Sequence, residues 1–372
     1  MLYTGLCLSD PNPGHISDGS STRTLSAARF AGRYRLVDFM LSNMVNSGVT
    51  DIGIVLNSNY QSLVAHIGMG KEWDLARKTG GVTFFPPYLI DARKSEYSES
   101  DGPFQRAVRA LRGTRSGYVI LVDASFVYNM DYRSAIEAHK ETGADVTAIY
   151  AKKQVDTDAG ESAVVFDLAD DNRIRGIRAA SRSSDVVAVS LGAYIMQKHT
   201  FLQLVTGVKY CGMLCFSREL LAPKVKGLRV MGYAFEGYSA QISSVETSFK
   251  HNMEMLDHEK RAALFDYEGR RIFTSRRDSL PTKYGKTATV QNAIVADGCQ
   301  IEGTVRNSVI CRSVRIGAGA VVENCVLKDG TVVEKGAKLS WMVTDRGVIV
   351  SENRNMVGSP MYPVYIEPER II

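Results

Sequence analysis

The sequence predicts two unlike halves: a three-layer α/β domain with a mostly parallel sheet, then a parallel β-helix. Three observations predict this. Over the first ~245 residues, short apolar runs alternate with amphipathic helical segments. After about residue 285, helical periodicity stops and aliphatic residues recur every six positions. Glycines and asparagines punctuate that second stretch at regular intervals.

The strand candidates of the first half are Tyr3 to Leu8, Ile52 to Leu56, Val82 to Phe85, Tyr118 to Val122 and Val146 to Tyr150. They are short and apolar, as strands buried on both faces should be. In LVDFMLSNMVNSG, Leu36, Phe39, Met40 and Met44 mark one helical face, and Gly48 suits the position just past the end. Asp131 to Thr142 reads as another helix, closed by Gly143. Ligands of such sheets sit at the carboxyl ends of the strands. The first such end here is LSDPNPGH, residues 8–15.

In the second half, QNAIVADG, RNSVICRS and ENCVLKDG resemble one another, with Asn292, Asn307 and Asn324 spaced 15 and 17 apart. The six-residue period runs Val295 and Ile301; Ile310, Ile316 and Val322; Val326 and Val332. Gly298, Gly317, Gly319, Gly330 and Gly336 fall at the turns. A six-residue period with small residues at corners is the mark of a β-helix, three short strands to a coil, with the aliphatics inside. The expected division is an α/β domain over 1–245, a helical linker over 246–285 and the β-helix over 286–372.

Composition is that of an ordinary globular protein: 45% hydrophobic and 23% charged over 372 residues, with a net charge of +5. No dense Lys/Arg run argues for nucleic acid, and no apolar run approaches the ~18 residues of a membrane span. The N-terminus lacks a basic segment followed by an apolar one, so a cytoplasmic location is expected. Cys7, Cys211, Cys215, Cys299, Cys311 and Cys325 form no CxxC pair and are expected to be small buried hydrophobes.

Longer motifs narrow the reading. FAGRYRLVDFMLSNMVNSGV at 30–49 resembles the FGGKYRIIDFxLSNxxNSGI segment of the ADP-glucose pyrophosphorylase (glucose-1-phosphate adenylyltransferase) family. Further matches follow in order: YQSLVAHIGMGKEWD at 60–74, VYNMDY at 127–132, SLGAYIM at 190–196 and FEGYSAQISSVETSFKHNMEML at 235–256. The resemblance spans nearly the whole chain. It implies a Rossmann-like (GT-A-type) nucleotidyltransferase domain, a left-handed hexapeptide β-helix, and a place in glycogen biosynthesis.

The chain departs from that pattern where the chemistry lies. The resemblance puts the phosphate-loop glycines on Asp10, Pro11 and Pro13, the loop arginine on His15 and a loop lysine on Leu25. Proline has no N–H to give a phosphate, and Asp10 adds negative charge. The two aspartates that hold Mg²⁺ in the family fall on Ser125 and Gln241. The family's Glu-Lys-Pro stretch, whose lysine holds the sugar phosphate, is replaced by GIRAASRSSDVVAVSLGAY, with Arg178 and Arg182 as nearby cations. The resemblance therefore implies a regulatory, catalytically deficient member with no Mg²⁺ or other cofactor. It would associate with a catalytic (GlgC-type) subunit, as a homo- or heterotetramer.

The alternative is an active adenylyltransferase using Asp123 as a displaced metal ligand, two residues from the expected position and so on the same strand face. Arg23, Arg29, Arg33 and Arg35 cluster in one stretch. The resemblance places Arg33 on a lysine near the family's regulatory sugar-phosphate site, so Arg29, Arg33 and Arg35 are candidates for a phosphorylated effector; a solvated, salt-bridged segment is the competing reading. His66 is expected to be structural or nucleotide-adjacent, in a segment that also holds Lys71 and Trp73. Glu236, Gly237 and Tyr238 are expected on a pocket floor. Trp341 and the MVGSPMYPVYIEPER tail suggest a subunit contact or self-packing.

Overall fold

Nine strands form the first sheet in a computed structural model that describes residues 3–9, 23–56, 59–87, 103–155, 163–180, 183–208 and 215–372. They are β1 (Tyr3–Leu8), β2 (Asp51–Val55), β3 (Gly81–Phe85), β4 (Tyr118–Asp123), β5 (Val146–Val155), β6 (Val164–Leu168), β7 (Ile174–Ala179), β8 (Ser183–Gln197) and β9 (Val230–Ala234). The order is β7-β6-β8-β4-β1-β2-β3, with β5 pairing both β8 and β9. The expected strands are all present. The sheet is mixed, however, and not mostly parallel. The long β8 runs antiparallel to β4, β5 and β6, and β7 to β6. The sequence hides this because β8 is as apolar at its buried end as its parallel neighbours.

Alternate residues of each central strand feed two cores. Cys7, Ile52, Ile54, Ile120 and Val122 face one side, against helix α1 (Leu36–Asn46). Leu6, Leu8, Val55, Val119 and Leu121 face the other, against α2 (Pro103–Gly113) and α3 (Lys198–Leu204). Burying side chains of this size stabilises by about 1.5–3 kcal/mol each. Helix α1 is buried all round from Leu36 to Met44, more than its single apolar face suggests. Its polar residues are paid in hydrogen bonds: Asn43 donates to the Tyr128 carbonyl (3.0 Å) and accepts from the Met130 N–H (3.1 Å), and Ser42 Oγ accepts from the Phe273 N–H (2.8 Å). Gly48 and Gly143 take positive φ at helix ends, as expected.

Helices α4 (Val245–Glu254) and α5 (His258–Phe265) lead towards the β-helix, whose first strand is Lys283–Tyr284. Its strands pair in parallel with offsets of 15 or 17 residues per coil, except that Met342–Thr344 pairs with Val364–Ile366 at an offset of 22. Asn292, Asn307 and Asn324 occupy one corner, all with φ between 43° and 52°, and Trp341 takes the fourth place with φ 55°. Asparagine tolerates the left-handed region better than other residues with a Cβ; here it also stacks, Asn292 Nδ2 donating to Asn307 Oδ1 (2.9 Å). Ile301, Ile310, Ile316 and Val322 point inward as the period predicts. In the next coil the register Ile310↔Leu327 continues, so Leu327 and Val333 fill the interior, one residue on from the expected Val326 and Val332. Val326 instead faces outward onto Phe249 of α4, together with Val309 and Val343. A stripe of the β-helix exterior is thus apolar because the first domain covers it.

Continuing the registers Val295↔Ile310, Ile310↔Leu327 and Leu327↔Thr344 by two residues stacks Asp297, Arg312, Asp329 and Arg346 on successive coils. Their sign alternates along the β-helix axis.

Candidate functional site

Beyond β4 the chain makes a tight turn and a two-stranded ribbon, Phe126–Tyr128 against Ser239–Gln241. Gln241 lies opposite Phe126, and the Ile242 N–H donates to the Ser125 carbonyl (2.9 Å). The ribbon therefore brings Ser125 and Gln241, 116 positions apart in the chain, onto diagonal positions of neighbouring segments, Gln241 opposite Phe126 and Ser125 bonded to Ile242. Both side chains are neutral. A hydroxyl and an amide do not fit Mg²⁺ as a carboxylate pair does, since neither supplies charge to offset its desolvation.

Asp123, the displaced-ligand candidate, sits at the end of β4 and is 2% exposed. Its Oδ1 accepts the Ser125 N–H (2.8 Å), so it caps the turn that starts the ribbon. Gly192, at φ +63°, lets β8 approach it: a Cβ there would lie 2.7 Å from the Asp123 Cβ. Among the described residues, the Ser125 hydroxyl is buried without a hydrogen-bond partner.

Beside the ribbon lies a cavity of about 560 Å³, walled by β5, the segment after β9 and helix α4. Gln241, Tyr238, Glu236, Lys153, Lys250 and His251 reach it. Glu236, Gly237 and Tyr238 do line it. Glu254 on its wall accepts from Tyr238 Oη (2.8 Å) and Lys260 Nζ (2.9 Å), and its Oε2 lies 2.8 Å from His251 Nδ1. Burial alone would raise the Glu254 carboxyl; the His251, Lys260 and Tyr238 contacts outweigh it and bring it down to about 2. Burial and that neighbouring carboxylate push the Tyr238 phenol well up. The cavity offers lysines, an amide and hydroxyls together with the carboxylates of Glu236 and Glu254. Among the described residues, no three His, Cys, Asp or Glu side chains cluster to hold a metal ion.

Asp10, Pro11, Pro13 and His15 lie outside the described residues, as do Arg182 and Cys211. Leu25 is buried in a 3-10 turn. Arg178 is exposed and pairs with Asp167 (3.1 Å), not with the cavity. His66 is buried with Nε2 2.6 Å from Asp38 Oδ1, beside the buried Trp73, while Lys71 is exposed. The other five cysteines form no disulfide among the described residues, and all but Cys215 are buried.

Arg29, Arg33 and Arg35 do not open onto one surface. Arg29 is buried and pairs with Asp329 of the β-helix. Arg35 is buried too, donating from Nη1 to Ser62 Oγ and the Ser62 carbonyl, and burial beside Arg29 lowers its guanidinium to about 9. Arg33 is exposed, 5.5 Å from the Tyr34 ring centre. The stretch does lie at the junction of the two domains, but inside it.

Sequence reasoning missed Lys153, Lys250, His251 and Glu254. The pair at His251 and Glu254 was readable, since residues three apart on a helix share a face. The lysines carried no signal, because only the fold aims them at the ribbon.

Comparison with known proteins agrees with the fold. Residues 20–209 match the nucleotidyl transferase family and residues 280–360 the GlmU-like C-terminal hexapeptide family. Glycogen biosynthesis protein GlgD of Bacillus subtilis is 31% identical over 354 residues, covering 94% of this chain and 91% of that one. GlgD of Geobacillus stearothermophilus is 32% identical, covering 81% and 77%. Glucose-1-phosphate adenylyltransferase of Thermosipho africanus is 30% identical, covering 80% and 72%. With both domains matched in order and the likeness running almost end to end, the chain belongs to the glycogen-biosynthesis family of GlgD and glucose-1-phosphate adenylyltransferase.

Proposed function

We propose that this chain is a regulatory, catalytically deficient member of that family, which binds and activates a catalytic glucose-1-phosphate adenylyltransferase subunit. The observation that carries the reading is that neutral side chains, Ser125 and Gln241, stand on adjoining segments of the ribbon where the family resemblance places two metal-holding aspartates. Nucleotidyl transfer builds negative charge on phosphorus, and a carboxylate-held divalent metal offsets it. Losing both carboxylates costs several kcal/mol of transition-state stabilisation, which is orders of magnitude in rate. Asp123 is a poor substitute, since its carboxylate is spent on the turn that forms the ribbon. The phosphate loop supports the same reading from sequence, because Pro11 and Pro13 remove N–H donors. Outside the site, the packing that a family member needs is intact: two filled cores, a regular β-helix and a tight junction. This supports a role in assembly, as a hetero-oligomer in the cytoplasm.

The test measures pyrophosphate release from ATP and glucose 1-phosphate with Mg²⁺. This chain alone, the catalytic subunit alone and the two co-expressed are compared. The expected result is silence alone and a higher rate together than for the catalytic subunit alone. Robust turnover by this chain alone, abolished in Asp123→Asn, would establish instead an active enzyme with a displaced metal ligand.

A further inference from the structure

A second, smaller pocket of about 120 Å³ lies between helix α2 and strands β1, β2 and β3, with its polar end at the amino ends of β1 and β2, away from the ribbon. That is about the liquid volume of four water molecules, so it holds a fragment the size of a side chain and not a nucleotide or a sugar phosphate. The space exists because residue 53 is glycine: a Cβ there would lie 3.0 Å from the Phe85 ring and 3.2 Å from Leu6 Cδ1. Leu6, Phe85, Ala107 and Leu111 form an apolar wall, and Thr4, Asp51 and Thr114 a polar end.

Asp51 is half-buried, and its Oδ2 accepts from the buried Thr4 hydroxyl (3.0 Å). With the Thr4 proton spent on the carboxylate, the Ser116 hydroxyl 2.8 Å away donates to Thr4, and the polar end turns acceptors towards the space. Lys198 Nζ is held on the Thr114 carbonyl (2.8 Å), and among the described residues no cation pairs with Asp51. Ala110, Leu111 and Thr114 also mark the C-terminal end of α2, where the helix dipole favours positive charge.

We propose that this pocket binds a cation on a short apolar stem, an alkylguanidinium or alkylammonium group, with its head on Asp51 Oδ1 and its stem along Leu6, Phe85 and Leu111. Such a group answers the carboxylate and covers the apolar wall at once. A small amine or guanidine and the Arg or Lys side chain of another protein carry this same chemistry.

The probe is n-propylguanidinium chloride, titrated into the full chain and followed by saturation-transfer NMR. Millimolar affinity is expected for a ligand of so few atoms. Butyrate, with a like stem and the opposite charge, and 1-butanol, with the stem alone, should bind at least fivefold more weakly. Asp51→Asn keeps an acceptor for Thr4 and removes the charge; it should weaken propylguanidinium at least fivefold and leave 1-butanol unchanged. Ala110→Leu, from the exposed rim, fills the space and should weaken propylguanidinium and 1-butanol alike; it keeps the test readable if Asp51→Asn fails to fold. Nα-acetylarginine amide separates the two sources: affinity equal to that of propylguanidinium assigns the pocket to a side chain of another protein, and its exclusion assigns the pocket to a free small cation. Equal binding of butyrate and propylguanidinium, or propylguanidinium affinity unchanged in both variants, overturns the proposal.

Discussion

The ribbon and the junction treat charge in opposite ways. At the ribbon, positions that would hold a metal are neutral, the Ser125 hydroxyl has no hydrogen-bond partner among the described residues, and Asp123 caps the turn. At the junction, buried cations and carboxylates are matched across two domains by several short contacts. Burying charge is costly unless partners are well placed. Keeping such a network while the reactive edge goes neutral is what a chain valued for its shape and contacts would do.

The largest effect should come from reversing the ribbon. Ser125→Asp combined with Gln241→Asp adds two carboxylates to the ribbon, one at a fully buried position and one at the wall of the cavity. Without divalent metal, urea unfolding should show a loss of about 3–5 kcal/mol; Mg²⁺ should restore part of it, while leaving the unaltered chain unmoved. A double variant as stable as the parent without metal would mean that the ribbon tolerates charge, and the contrast with the junction would fail. Next in size, Leu327→Ala should cost about 2–5 kcal/mol in the same measurement, because its cavity is enclosed by coils above and below. Val326→Ala, one residue away on the outer face, loses fewer atoms and should cost about 1–2 kcal/mol; equal losses would contradict the inside–outside assignment.

The pH dependence sharpens the comparison further. Burial alone would raise the Asp345 carboxyl, but Lys328, Arg23 and the Tyr365 hydrogen bond hold it below the usual aspartate value. A folded value below the unfolded one, about 3.9, stabilises above that pH. The contribution is then lost as pH falls through the lower folded value. Asp345→Asn should therefore be less acid-sensitive than the parent below about pH 4; parallel acid-unfolding curves would show that Asp345 is not the group responsible. The smallest effect belongs to the β-helix corners. Asn307→Ala should cost about 1 kcal/mol and Asn307→Gly less, since only glycine enters the left-handed region freely.

Much of the fold was legible because it follows from periodicity. Strands buried on both faces read as apolar runs, and the coil corners read as asparagines at intervals of 15 and 17. What periodicity cannot carry is direction: β8 reads the same whether it runs with β4 or against it. Nor does it say which neighbour covers a residue, so the outward turn of Val326 depends on α4. At the site, Ser125 and Gln241 could be named only through family likeness; their placement on adjoining segments of the ribbon is tertiary. The burial of Arg29 and Arg35 was illegible for a related reason. Asp329 and Asp345 lie some three hundred residues downstream of Arg29 and Arg23, and no local pattern ties them.

The alternating column of Asp297, Arg312, Asp329 and Arg346 has a consequence for docking. A β-helix is nearly a repeat, so its apolar outer stripe offers the first domain much the same surface one coil up or one coil down. The charges break that degeneracy. Slid by one coil either way, Arg29 would meet Arg312 or Arg346 in place of Asp329. The column works as a ratchet tooth on an otherwise smooth rail, and it lets only one of the neighbouring positions engage.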